Sequence, residues 1–151
     1  MKLTEHFELE EFVASQTATR KGIDNTPPAE AVDYLKSLCE AVLEPLRQQL
    51  GPVRISSGYR CPALNFAIGG SANSQHVKGQ AADILVPGRP LNEVFNWIYS
   101  NSPYDQLIRE FPPAGWVHVS YIGEPPRREA LIALRVKEHV NYVPVSQHLG
   151  A

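Results

Sequence analysis

The chain has 151 residues, 43% of them hydrophobic, with 14 Lys and Arg against 16 Asp and Glu, for a formal charge of −2. That length suits one domain with a sizeable core. The balance of charge argues against a nucleic-acid binder built on a basic face, and no apolar run is long enough for a membrane span. Two cysteines, Cys39 and Cys61, make neither a disulfide framework nor a Cys-x-x-Cys zinc site. The opening residues Met1 to His6 lack an apolar export core, so the chain is expected to be made in the cytoplasm without a signal peptide.

In chain order, Leu9, Phe12 and Val13 stand at helical spacing. A polar stretch, Ser15 to Asn25, reads as turns. The clearest helix follows, with Thr26 as N-cap and Pro27 at the first helical position. Ala31, Leu35, Leu38, Cys39, Val42, Leu43 and Leu46 recur at steps of three and four, which predicts a buried stripe. Pro45 should kink or end it, and Gly51-Pro52 closes it.

The period then changes to two. Val53–Ser56 and Asp83–Val86 read as strands, separated by a Gly-, Ser- and Asn-rich stretch long enough to suggest a functional loop. Gly69-Gly70 within it reads as a turn. A helix is expected from Leu91 to Tyr99. Strands follow at Gln106–Glu110 and Trp116–Tyr121, and a last hairpin comprises Ile132 to Val136 and a return at Val140 to Val145. Helices first and strands later make the chain α+β, a single domain over 1–151.

The chemistry-bearing segment is Ser74-Gln75-His76-Val77-Lys78-Gly79-Gln80-Ala81-Ala82-Asp83. If the chain turns at Gly79, His76 and Asp83 can meet at one point. Imidazole and carboxylate both suit zinc, and a catalytic zinc takes three protein ligands plus an open position. In Trp116-Val117-His118-Val119-Ser120, alternation puts His118 opposite the two valines, so it faces a groove if they face the core. His6, His139 and His148 read as solvated. Cys39 falls on the apolar stripe, and Cys61 reads as a free thiol.

Together, Ser57-Gly58-Tyr59-Arg60, Ser74-x-His76-x-x-Gly79-x-Ala81-x-Asp83 and Trp116-Val117-His118-Val119-Ser120 resemble the zinc peptidases of the D-Ala-D-Ala carboxypeptidase type, peptidase family M15. The match is nearest to their short phage and prophage branch; the opening helix and the Tyr104–Ile108 segment also look like that branch. The resemblance implies a Hedgehog/DD-peptidase-like α+β fold with a small antiparallel sheet. It implies one zinc per chain held by His76, Asp83 and His118. The implied reaction is hydrolysis of an amide bond involving a D-amino acid in peptidoglycan peptides. Zinc would make water nucleophilic near neutral pH, a carboxylate would move its proton, and a cation would steady the oxyanion.

Arg60 is the expected cation. Ser74 is a candidate to bind substrate or to orient the ligand loop, and Trp116 either floors a substrate groove or packs. Many family members carry an acidic residue three positions before the last histidine; here that position is Gly115. If Gln106–Glu110 and Trp116–Tyr121 pair about Pro113, Glu110 faces Trp116 and lies diagonal to His118. Glu110 is therefore the favoured general base, with Asp105 second and more structural in character. Arg127, Arg128, Arg135 and Lys137 read as a solvated charged face, with contact to an anionic wall as the alternative. The partners expected are peptidoglycan peptides, without nucleic acid or membrane span, for a monomer. It would act on the wall after release, as a phage lysis enzyme or a virion component. A non-catalytic zinc-containing wall-binding module is the alternative that Gly115 keeps open. A purely structural zinc fits less well, because three ligands leave one position unfilled.

Overall fold

Residues 1–150 are described by a computed structural model. The predicted apolar stripe forms the spine of the core: Ala31, Leu35, Leu38, Cys39, Val42, Leu43 and Leu46 are all buried. They span three helical segments, α3 (Ala29–Leu38), a π turn (Cys39–Leu43) and α4 (Glu44–Leu50). The helix starts later than the sequence suggests. Pro27 precedes Pro28, and a residue before proline is driven out of the helical region. Thr26 does not cap it; its hydroxyl donates to Asp24 Oδ1 at 2.6 Å. Pro45 neither ends nor breaks the spine. The wide turn before it, closed by the Glu44 N–H to the Cys39 carbonyl, moves the backbone aside where the proline ring would clash.

Several elements were not expected. A two-stranded hairpin, β1 (Lys2–Thr4) and β2 (Phe7–Glu8), precedes α1 (Leu9–Val13), whose start is a reciprocal Glu8–Glu11 capping box. Within the stretch read as turns, α2 (Gln16–Lys21) forms behind the Ser15 side-chain cap.

The main sheet follows the predicted strands: β3 (Arg54–Ser57), β4 (Ala81–Leu85), β5 (Gln106–Glu110), β6 (Trp116–Ser120), β7 (Glu129–Val136) and β8 (His139–Pro144). Their order is β3-β4-β6-β5-β7-β8. All neighbours are antiparallel except β5 and β7, which run parallel, so the sheet is mixed. The long stretch between β3 and β4 carries α5 (Pro62–Ala67) and a 3-10 turn (Gln75–Lys78); α6 (Leu91–Asn101) follows β4. One face of the sheet, with Ile84, Leu107, Val117 and Val119, joins the helical core. The other face carries Asp83, His118, Ile108 and Glu110 and floors an open cleft.

Candidate metal centre

The two strand ligands meet through register. Asp83 on β4 and His118 on β6 are direct cross-strand partners, and His118 Nδ1 lies 3.0 Å from Asp83 Oδ1. Val117 and Val119 are buried in the core, so period-two alternation leaves His118 facing the cleft.

His76 arrives from the 3-10 turn. The Ser74 hydroxyl accepts the His76 N–H at 3.2 Å, which caps the turn and fixes where the imidazole starts. The turn ends at Gly79, in the left-handed region at φ 77°. A Cβ there would stand 2.5 Å from the Ala31 carbonyl oxygen, so only glycine lets the turn seat against α3. His76 Nδ1 sits 2.7 Å from the Gly58 carbonyl. A carbonyl only accepts, so Nδ1 carries the proton and Nε2 is left as the donor atom, 3.3 Å from Asp83 Oδ1.

His76, Asp83 and His118 each offer one ligand atom, all within 4.8 Å of one another, and all three residues are buried. Ligand atoms at zinc distances of ~2.0–2.2 Å in tetrahedral array stand ~3.3–3.6 Å apart. The 3.0 and 3.3 Å spacings about Asp83 Oδ1 are close to that edge. Two imidazole nitrogens and one carboxylate oxygen therefore fit zinc in both size and chemistry. Burial favours the neutral, ligating form of His76 by pushing its pKa down, against the attraction of Asp83. Burial works the other way on Asp83, but the two imidazoles beside it hold its carboxyl well below the usual range.

Around this centre lies a cleft of about 650 Å³. Arg60, Ser74, His76, Asp83, Glu110, Trp116 and His118, the residues singled out from the sequence, all line it. Glu110 pairs with Trp116 and Ile108 with His118, the expected register. Burial raises the Glu110 pKa, with His118 and Arg60 opposing. Trp116 does both things considered for it: it lines the cleft and packs edge-on against Phe111, with ring centroids 5.6 Å apart. The half-buried Arg60 guanidinium is steered by Asn65 Oδ1, 3.2 Å from Nη1.

Gly115 has a geometric cause. Its φ is 77°, and a Cβ there would lie 1.7 Å from the Glu110 carbonyl oxygen. This tight turn admits no side chain at the position where the family resemblance leads one to expect an acid.

Asp105 is outside the cleft. Its buried carboxylate accepts bonds from Gln75, Ser120 and Arg127, so it is a structural anchor tying the His76 turn to β5. Arg127 is exposed, as the solvated reading has it, and its fork also grips Asp105. Arg135 likewise stands over the Phe111 ring, 4.6 Å from its centroid, at the cleft wall. His6 is not simply solvated, because Glu44 holds both its backbone N–H and its Nδ1, at 2.8 and 2.7 Å.

Sequence reasoning overlooked several supports. Asn25 accepts the Cys61 N–H and donates to the Tyr59 carbonyl, pinning the Arg60 loop. The buried Arg109 guanidinium donates to the Pro113 and Ala114 carbonyls at 2.8 and 2.7 Å, clamping the β5–β6 turn. The available signal was a charged residue two places after Leu107, on the strand face that turns to the core.

The sequence matches the family Peptidase M15 over residues 5–120. The chain belongs to peptidase family M15. It is accordingly a metallopeptidase of a zinc-dependent family, with a buried His-Asp-His group able to hold the ion. No curated protein sequence matches it. The M15 match ends at the close of β6, so β7 and β8 lie beyond it.

Proposed function

We propose that this M15 peptidase hydrolyses an amide bond involving a D-amino acid in peptidoglycan stem or cross-link peptides, acting at the cell wall as a phage-lysis or virion enzyme does. The supporting observation is the open cleft in which His76, Asp83 and His118 converge while Glu110 stands diagonal to His118 on the same sheet face. Zinc held by His76 Nε2, Asp83 Oδ1 and His118 Nδ1 would supply an electrophile and lower the pKa of water there toward neutrality. Glu110 takes the proton from the attacking water and gives it to the leaving amine as the C–N bond breaks. Its carboxylate is partly buried and lines the same cleft, which suits that task. Arg60 faces the same space and offers a fixed positive charge to the oxygen that turns negative. Ser74 holds the ligand turn, and Trp116 floors the cleft.

The test is release of D-alanine, or of cross-bridge fragments, from purified peptidoglycan with and without a chelator. Chelator-sensitive cleavage that vanishes in Glu110→Gln, with zinc content unchanged, supports both the activity and its base. Wall binding without hydrolysis overturns it in favour of a binding module.

A further inference from the structure

The β7–β8 hairpin lies beyond the family match yet forms part of the cleft. Trp116, Glu110, Ala133 and Tyr142 are successive cross-strand partners on β6, β5, β7 and β8, so they share one face. Ala133 is small and fully covered, and Glu110 and Tyr142 on either side of it both line the cleft. Arg135, two residues past Ala133, stands on that face as well. Both Arg135 and Tyr142 line the cleft.

The cleft's three arginines are not equivalent. Arg127 is engaged by Asp105 and Glu129. Arg60 is half-buried and held by Asn65. The exposed Arg135 guanidinium has no carboxylate or hydrogen-bond partner among the described residues; it stacks on Phe111. The Phe111 ring is held edge-on against Trp116, and its backbone N–H donates to the Ala133 carbonyl at 2.9 Å. Stacking on a fixed ring holds a guanidinium in place while leaving its N–H edge available for a bidentate carboxylate. Strand β7 lies two strand spacings, ~10 Å, from β6, about three residues of extended peptide.

We infer that Arg135, flanked by Tyr142, is a specificity-determining residue that binds a carboxylate carried by the substrate within about three residues of the cleaved bond. This rests on the peptidase reading above. The carboxylate is either the peptide's C-terminal one or that of an acidic side chain.

Three otherwise identical D-amino-acid peptides test it: a C-terminal acid, a C-terminal amide, and an amide bearing one acidic side chain. Each is titrated calorimetrically into zinc-loaded Glu110→Gln protein with Arg135 intact or changed to Ala or Lys. Each is also offered to the active wild type and to Arg135→Ala. The acid of the correct source binds about tenfold tighter than the plain amide. Arg135→Ala removes that preference, raises KM for that acid and leaves kcat unchanged, and Arg135→Lys recovers part of it. An unchanged melting temperature shows the hairpin intact. Affinities within twofold for all three peptides, or an equal loss from acid and amide in Arg135→Ala, overturn the inference while cleavage still stands. Arg135-dependent binding with no cleavage by the wild type overturns the hydrolytic reading instead, and no binding of any peptide overturns both.

Discussion

Glu110 is asked to be both a buried group and a base. Burial raises its pKa in the metal-free protein, and a bound cation opposes that rise, so kcat/KM should lose its acid limb in Glu110→Gln, whose activity drops about 100- to 10,000-fold. A pH–rate profile checks both. The stability sign is the reverse of the usual carboxylate. A folded pKa above the unfolded one favours the protein at low pH and loses that favour as pH rises through the raised value. In zinc-free protein, therefore, Glu110→Gln should be no less stable than wild type at neutral pH, measured by urea denaturation. Gly115 makes the opposite case. Gly115→Ala combines a positive φ with contact on the Glu110 carbonyl and should cost about 2 kcal/mol or more, visible as a lower urea midpoint. Gly115→Asp places a carboxylate at a turn that has no room for its side chain, and should not rescue Glu110→Gln.

At the scale of elements, periodicity made much of the site readable. The helical stripe from Ala31 to Leu46 and the alternation around His118 both express burial on one face, which sequence records directly. The β5–β6 register was legible because the turn about Pro113 and the strand lengths leave one good pairing. Helix α2 was not legible, for it buries only Ala18 and carries no stripe. Nor were Arg127, Arg135 and Tyr142. Their roles depend on β7 docking parallel to β5 after a crossing loop, a contact between distant segments that leaves no local pattern. Asp105 shows what such contacts contribute. It joins the 3-10 turn, β6 and Arg127, so Asp105→Ala should destabilise the fold by about 2–3 kcal/mol and weaken zinc retention by loosening the His76 turn. Its pKa is lowered: burial opposes, but Arg127 and Gln75 prevail. Its stabilisation is thus present above the ordinary carboxylate range and fades as pH falls through the depressed value, a loss that acid denaturation of wild type and variant would compare.

For the whole molecule, an ion that binds only the folded chain stabilises it by mass action. With zinc at about a hundred times its dissociation constant the gain is ~2.7 kcal/mol, so a chelator should lower Tm by about 5–10 °C. Asp83→Asn protein should show little such response in the same melt. The His-Asp-His group draws its members from a turn packed on α3 and from two neighbouring strands. No short stretch of this polypeptide brings all three donors together. During synthesis, then, the hydrolytic apparatus stays latent until β6 has emerged from the ribosome and zipped against β4.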